Sequence, residues 1–290
     1  MTIVGKRIGA AATMLCAMAI VAIVAGEALA PRAHALTPAV ELASHRAVYE
    51  LSLAPSHGNS STVSARGRIL YDFTGSACEG YKLEFRQVSE LDNGEGKVTL
   101  SDLRSNTWED GDAKNFHFKS ENYMNQRLLD QVDGEAVRQA GNIAVALTKP
   151  KDAKLSLDHA IVFPTEHVRR IIDAARAGKT ILEFPVYDGS EKGEKIYNTL
   201  TIIGRMIPPT GRVPTDAAVG QPALAGLNRW PVTVSYFDRA KAVGEQTPVY
   251  SITFELYENG ISRSLLLDYN DFAISGELKS LEIRDVKPCP

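Results

Sequence analysis

Short turn signals recur along most of this chain, and the stretches between them alternate between apolar and polar side chains. Asn-Gly and Asp-Gly pairs suit tight hairpin turns, because both residue types tolerate positive φ. Alternation with a period of two is the pattern of a strand with one buried face, and its repetition predicts an antiparallel all-β meander. Five such pairs occur, at Asn93-Gly94, Asp110-Gly111, Asp133-Gly134, Asp188-Gly189 and Asn259-Gly260.

Two stretches show the alternation most clearly, and a third changes it. In residues 63–73 and 250–256, every second residue is apolar, aromatic or glycine. Near the end of the chain, apolar residues up to Leu278 share one face, whereas those from Leu281 fall on the other. A bulge near Gly276 would explain the change of face and would help to close a barrel. Two short strands with a kink between them would also explain the change.

A segment at about 165–177 breaks this alternation and has helical spacing instead. Thr165 is suited to cap the start of the helix, Glu166 favours the positive end of the helix dipole, and Gly178 supplies a left-handed stop. The predicted helix has one narrow apolar stripe, so it either plugs one mouth of a barrel or covers an open sheet edge. The stripe comprises Val168, Ile171, Ile172 and Ala175.

The first 35 residues have the pattern of a cleaved secretory signal. Two basic residues precede an apolar run over 8–25, and small residues end at Ala35. A second small-residue site ends at Ala30, but Pro31 directly after it hinders cleavage, so we expect the cut after Ala35. The alternative is an uncleaved anchor, because the apolar run approaches the roughly 20 residues that span a bilayer.

The cysteines point to an oxidising compartment. Cys16 lies inside the apolar run and lacks the small residue that precedes a lipidated cysteine, so we expect it to be removed with 1–35. After export, Cys78 and Cys289 are more typical of a disulfide than of a metal site or a reactive redox pair. Such a bond requires a fold that brings distant parts of the chain together, so we expect 36–290 to form a single β-barrel domain.

Composition argues against several classes of function. The full chain has 32 basic and 35 acidic residues, of which 29 and 34 lie beyond residue 35, giving a net charge of −5. This mild acidity gives no support to nucleic-acid binding, which requires a concentrated basic surface. Beyond the signal, no apolar run is long enough to span a bilayer, so we expect a soluble mature protein with no membrane span.

A long connection rich in Pro, Gly and Ala occupies 208–226. Loops longer than about 15 residues are usually lids, binding loops or disordered connectors. We interpret this one as a loop of a single domain and as a candidate lid. A linker between two domains is the alternative, but a bond between Cys78 and Cys289 would straddle it.

Several phrases occur in a fixed order through most of 36–290. They are Cys78; Phe163-Pro164-Thr165-Glu166-His167 through Ala174-Ala175 and Gly178; Tyr187-Asp188-Gly189-Ser190; Trp230-Pro231-Val232 with Tyr236-Phe237; Thr247-Pro248-Val249-Tyr250; Glu258-Asn259-Gly260; Leu267-Asp268-Tyr269 with Asp271-Phe272; and Cys289. Each phrase alone is weak, but together and in this order they resemble the EipB family, the periplasmic cell-envelope integrity proteins of alphaproteobacteria.

The resemblance implies an open, spiral-like β-barrel of about 14 strands, with a helix packed near it and an internal cavity. It also implies that Cys78 pairs with Cys289. The role that it implies is maintenance of the cell envelope through binding of a hydrophobic or lipid-like ligand, without enzymatic activity or a cofactor. It does not identify which residues contact that ligand.

Two candidate chemical sites have simpler explanations. His159 and His167 are the closest histidine pair, but their separation of eight residues across a proline matches no metal spacing. Ser190 after Asp188, with His167 as a base, suggests a hydrolase, yet a nucleophile elbow requires Gly-x-Ser-x-Gly between a strand and a helix. A hairpin turn explains Asp188-Gly189 fully. We therefore expect no metal and no catalytic residue.

Aromatic side chains on the predicted strands are the remaining candidates for a binding surface. In a small barrel they would fill the core, whereas a wider barrel leaves a cavity that side chains cannot fill. An apolar cavity of that kind would sequester an acyl chain. The aromatic residues concerned are Tyr71, Phe73, Tyr81, Phe85, Tyr236, Phe254 and Tyr269.

Three functions therefore remain, in decreasing order of support. The first is a periplasmic binding module for a lipid or other hydrophobic envelope component. The second is a structural adaptor that docks another periplasmic protein through its barrel edge or through the helix at about 165–177. The third is an envelope hydrolase that uses Ser190 and His167.

Overall fold

The computed structural model describes residues 40–55, 62–241, 247–286 and 289. In this part of the chain there are fourteen strands and a single α-helix, α1, Pro164–Arg176, which confirms the predicted all-β architecture with one accessory helix. The signal predicted over 1–35 lies outside the described residues. The strands are β1 His45–Ala54, β2 Ser64–Ser76, β3 Gly80–Asp92, β4 Val98–Glu109, β5 Asn115–Met124, β6 Arg127–Arg138, β7 Asn142–Lys149, β8 Ala153–Asp158, β9 Ile181–Val186, β10 Tyr197–Ile203, β11 Arg229–Asp238, β12 Tyr250–Tyr257, β13 Ser262–Asp268 and β14 Ala273–Ile283.

All fourteen strands belong to one antiparallel sheet, which begins at β8, runs back to β1, continues to β14 and ends at β9. β1, the first strand, pairs with β14, the last, and every other pair consists of strands that are consecutive in the chain. No ladder connects the two edge strands in the described chain, so the barrel is open, as predicted. Only an isolated parallel bridge between Val162 and Val186 links the segment after β8 to the end of β9.

Three of the five predicted turn pairs lie in short connections between paired strands, namely Asn93-Gly94, Asp110-Gly111 and Asn259-Gly260. The tight hairpin predicted at Asp188-Gly189 is wrong, because this pair lies in the longer connection 187–196 between β9 and β10, which contains a short 3₁₀ helix at Glu191–Gly193. The turn predicted at Asp133-Gly134 is wrong, because both residues lie inside β6, where its register with β7 shifts. A Cβ on Gly134 would lie 2.8 Å from the carbonyl oxygen of Ala146, so this glycine permits a close approach of two strands. The β5–β6 hairpin turns instead at Asn125 and Gln126, both with positive φ.

The change of apolar face near the end of the chain is a bulge within one strand. β14 is continuous from Ala273 to Ile283, so the alternative of two short strands is wrong. Its register with β1 skips Lys279, which places the irregularity a few residues beyond Gly276. This shift of one residue keeps both Leu278 and Leu281 buried on the inner side.

The N-terminus of α1 is capped by a carboxylate from the sheet. The two carboxylate oxygens of Glu109, at the end of β4, accept the backbone N–H groups of Thr165 and Glu166, each at 2.8 Å. The prediction that Thr165 caps the helix is wrong, because Phe163 occupies the cap position and Thr165 lies in the first turn. Glu109 is 1% exposed, and burial raises its pKa to about 7, although the two N–H groups act in the opposite direction.

The C-terminus and apolar face of α1 follow the sequence prediction. Gly178 has a φ of +72° and donates its N–H to the carbonyl of Ala175. Ile171 and Ile172 are buried in a cluster that the inner faces of β2 and β11 also supply. The helix therefore packs inside the barrel wall. The buried helix residues are His167, Ile171, Ile172, Ala174 and Ala175.

The long loop predicted over 208–226 is bonded to β12–β14, and its Ala218 and Leu224 are buried in one cluster with Tyr49 of β1. Asp216 accepts a hydrogen bond from Nε of Arg263 at 2.7 Å, and Arg212 of the loop donates one to Glu255. Glu255 alternates with cavity-facing residues of β12, so these ion pairs lie on the opposite face of that strand. The loop also donates the N–H of Ala217 to Leu278 of β14 at 3.1 Å. It completes the wall beside β14.

A disulfide joins the β2–β3 turn to the segment after β14. Cys78 and Cys289 have Cα atoms 5.8 Å apart and are separated by 211 positions in the chain. In the part of the chain that the structure describes, no helix is both long enough and apolar enough to cross a membrane.

Candidate functional site

An apolar cavity with a volume of about 320 Å³ lies inside the barrel, beside α1. Its wall is built from side chains of β1, β2, β3, β9 and β11–β13, which the period-two pattern directs to the inner face. Volumes of roughly 300–1,000 Å³ are typical of small-molecule sites, so this cavity is at the small end of that range. The main apolar wall residues are Ile69, Phe85, Val234, Ile252, Phe254 and Leu265.

One face of α1 forms the inner boundary of the cavity. Pro164, His167, Val168 and Ile171 recur at helical spacing and all line it. A smaller extension of about 80 Å³ adjoins it and shares Pro164 and Val168 as lining residues. The helix thus divides the interior without filling it.

His167 is a neutral histidine at the cavity boundary. Burial, with a contribution from the positive charge of Arg170, lowers its pKa to about 4. Its Nε2 lies 3.5 Å from the hydroxyl of Thr199, which donates its own proton to the carbonyl of Phe184 at 2.9 Å. The Thr199 oxygen is therefore left as an acceptor, which fits the tautomer of His167 with its proton on Nε2.

Among the described residues that line the cavity, Asp188 is the only acidic one. It follows β9, and its Oδ1 accepts the backbone N–H of Ser190 at 2.9 Å, which fixes the turn. Burial raises the pKa of the Asp188 carboxyl group. Sequence reasoning assigned Asp188 only to a turn, and no local pattern could have shown that this turn faces an apolar interior.

Tyrosine hydroxyls provide further polar groups near the cavity. Tyr49 donates a hydrogen bond to the carbonyl of Ser262 at 2.7 Å, so its hydroxyl is already satisfied. Tyr236 lines the cavity and stacks on Tyr250 with ring centroids 4.4 Å apart. Tyr197 meets Tyr236 edge-on at 5.8 Å. These rings form a rigid aromatic group beside the cavity.

The aromatic residues singled out in the sequence divide between the cavity and the core. Phe73 and Tyr81 stack at 5.4 Å in the cluster beside α1, and Tyr269 stacks on Phe272 at 5.1 Å. The alternation pattern cannot distinguish Phe73 and Tyr81 from the cavity positions, because both groups lie on the inner faces of strands, whereas Tyr269 lies just beyond β13. Those that line the cavity are Tyr71, Phe85, Tyr236 and Phe254.

The residues considered for metal or hydrolase chemistry are not assembled into such a site. Among the described residues, no group of three or more His, Cys, Asp or Glu side chains is placed to hold a metal. The hydrogen-bond partner of His167 is Thr199, and in the described part of the chain no hydrogen bond joins His167 to Ser190. His159 contributes only its backbone carbonyl, to Arg138 at 2.6 Å.

Comparison with known proteins identifies the family. Residues 36–285 match the family model described as EipB-like. The chain is 37% identical over 247 residues to the cell envelope integrity protein EipB of Brucella abortus, covering 85% of this chain and 86% of that protein. It is also similar to the crystal structure of a β-barrel-like protein of unknown function from Brucella abortus, with a TM-score of 0.77, 35% identity, and coverage of 85% of this chain and all of that one. The chain belongs to the EipB-like family.

Proposed function

We propose that this protein is a non-enzymatic periplasmic protein that maintains cell-envelope integrity by holding a hydrophobic ligand in its barrel cavity. The apolar cavity beside α1 carries this proposal, because a void lined by aromatic and aliphatic side chains favours an apolar occupant over water. The name of the Brucella relative supports the envelope role. The pattern of a cleaved signal over 1–35 supports export to the periplasm.

The size of the cavity narrows the class of ligand. A volume of about 320 Å³ equals the space that roughly ten water molecules occupy in the liquid. A methylene group takes up a similar volume, so the cavity has room for one acyl chain of about ten carbons, and a second long chain would have to extend beyond it. The ligand class that we propose is therefore a single-chain amphiphile.

Uptake of a fluorescent acyl probe by delipidated protein tests this proposal. We expect saturable binding of one dansyl-labelled fatty acid per chain and its displacement by unlabelled dodecanol. Val234→Phe should abolish uptake, because Val234 lines the cavity and the larger ring would occupy it. Val98→Phe is the matched control, since Val98 is 50% exposed on β4 and should leave uptake unchanged. Absence of saturable uptake by the unmodified protein would contradict the proposal.

An adaptor function is the second candidate, and one surface feature favours it. Ile181 and Ile202 are paired across β9 and β10 and are 62% and 51% exposed, next to an edge of the open sheet. The apolar face of α1 is buried, so the sheet edge is the better docking surface. Pull-down from envelope extract should recover a stoichiometric partner that Ile181→Glu fails to recover. Recovery of no partner would reject this alternative.

A further inference from the structure

Among its described lining residues, the cavity has an acidic side chain and no lysine or arginine to pair with it. The acidic side chain is that of Asp188. His167 also lines the cavity and could carry a positive charge, but its pKa of about 4 keeps it neutral at pH 7. An anionic headgroup inside this cavity would therefore meet the carboxyl group of Asp188 and no cation.

The bonding of Asp188 leaves room for a ligand. Ser190 donates its backbone N–H to Oδ1, and its side chain also hydrogen-bonds the carboxyl group, but among the described residues no cationic side chain forms an ion pair with it. A carboxylate without a counter-cation is unfavourable in an apolar interior, and a cation that entered the cavity would offset that cost. Burial raises the pKa of the Asp188 carboxyl group, as expected for a buried acid that has no cationic partner.

The aromatic group next to Asp188 has matching electrostatics. Tyr236 and Asp188 line the same cavity, and the pKa of Tyr236 is raised by burial first and by the negative charge of Asp188 second. The faces and hydroxyl oxygens of tyrosine rings carry negative potential, and rings of this kind attract ammonium groups. Carboxylate and ring therefore favour the same class of headgroup.

We infer that the cavity selects a single-chain amphiphile whose headgroup is an ammonium cation, with the cation at Asp188 and Tyr236 and the chain against the apolar wall. This inference rests on the proposed function, because it requires that an acyl chain enters the cavity. It adds the charge of the headgroup, which the apolar lining alone does not specify.

Calorimetric titration with three probes of equal chain length separates headgroup from chain. At pH 7 dodecylamine is a cation, dodecanoate is an anion and dodecanol is neutral. We expect dodecylamine to bind the unmodified protein about tenfold more tightly than dodecanoate, the ratio that one charge-assisted hydrogen bond supplies. Asp188→Asn should reduce this ratio to about threefold or less and leave the dodecanol affinity unchanged.

Control variants distinguish a change in the structure of the turn from a change in headgroup binding. Asparagine retains the Oδ1 that accepts the Ser190 N–H, so the turn should persist in Asp188→Asn. Asp268→Asn is the matched variant, because Asp268 accepts the N–H of Asn270 at 2.9 Å in a similar turn but is exposed. It should leave all three affinities unchanged. If Asp188→Asn does not fold, the inference can still be tested on the unmodified protein. Its affinity for dodecyltrimethylammonium, whose charge is permanent, is then compared with its affinity for dodecanoate.

Each outcome has a distinct meaning. Preference for the cationic probes that depends on Asp188 supports the inference. Binding of all three probes with equal affinity, or preference for dodecanoate, overturns it and leaves the proposed function intact. Binding of none of the probes overturns the proposed function, and the inference with it.

Discussion

The inner face of β5–β8 and the inner face of β11–β13 belong to the same sheet but enclose different interiors. On the first, Phe116 stacks on Phe118 at 5.2 Å and on Phe163 at 5.1 Å, and Tyr187 packs edge-on against Phe118 at 5.6 Å. On the second, Val234 and other aliphatic or aromatic residues border a cavity of about 320 Å³. We call these the filled interior and the cavity interior.

The difference arises from what lies opposite the sheet. Phe163 and Tyr187 enter the filled interior from the segments that flank α1 and β9, and both are fully buried. Across the cavity interior, the helix presents Pro164, Val168 and Ile171, which are smaller than aromatic rings. Large rings between curved layers produce a packed core, and smaller side chains across a wide barrel leave a void.

Loss of the disulfide should lower the free energy of unfolding more than a substitution in either interior. Cys78→Ser removes a link that spans 211 positions, for which the chain-entropy model gives a destabilisation of up to about 5 kcal/mol. Cys289→Ser and the double variant should be destabilised equally, because each removes the same single bond. Urea unfolding under oxidising conditions measures this. Unchanged unfolding midpoints in all three variants would contradict the structural role of the bond.

Truncation of one phenylalanine on each side compares the two interiors directly. Phe118→Ala should lower the free energy of unfolding by about 3–5 kcal/mol, because it opens a cavity in a packed core. Phe254→Ala should cost about 1–2 kcal/mol less, because Phe254 already borders a void and loses fewer contacts. Equal losses in chemical denaturation would show that the two interiors are packed alike.

The pH dependence of stability tests Glu109, which joins the filled interior to the start of α1. Its pKa is about 7 in the folded protein against an ordinary 4.5, so between these values only the folded state keeps the proton. The free energy of unfolding should therefore fall by up to about 3 kcal/mol as pH rises from about 4.5 to about 7, and this contribution should stay level above.

Glu109→Gln isolates this contribution from other titrating groups. His167, with its lowered pKa, acts in the opposite direction below pH 6.5, so only the difference between the unmodified protein and the variant is informative. We expect the variant to lack the decline between about pH 4.5 and 7 in urea unfolding. The same decline in both proteins would show that Glu109 is not the group responsible.

Enlargement of one valine on each side should give the smallest effects. Val145→Phe overfills the filled interior and should cost about 1–3 kcal/mol. Val234→Phe projects into the cavity and should change the free energy of unfolding by less than about 1 kcal/mol. Both valines are 2% exposed, so burial alone does not distinguish them. A larger loss for Val234→Phe than for Val145→Phe in thermal unfolding would reverse the comparison.

Local chemistry made much of the fold predictable. Asn259-Gly260 marks a hairpin because its residues tolerate the turn, and Gly178 ends α1 because it adopts a positive φ there. Alternation in 250–256 places Phe254 on the inner face and Glu255 on the outer face, as found. The number of strands and the open sheet followed from the family resemblance rather than from these local signals.

The rest depends on contacts between distant residues. Gly134 was predicted in a turn, but its position is set by the close approach of Ala146 from β7. Thr165 satisfies the preferences of a cap, yet the cap is supplied by Glu109, more than fifty positions earlier. Asp188 was predicted in a tight hairpin turn, but it lies in the longer β9–β10 connection, and that this connection faces an apolar cavity follows only from the curvature of the whole sheet.

Native mass spectrometry of the protein purified from its own envelope, followed by solvent extraction and lipid analysis, tests most directly whether the cavity holds a ligand. We expect one bound single-chain amphiphile per protein, present in Val98→Phe and absent in Val234→Phe purified in parallel. A mass that corresponds to protein alone, with no uptake when dodecylamine or dodecanol is added, would contradict a ligand-binding cavity and favour the adaptor function.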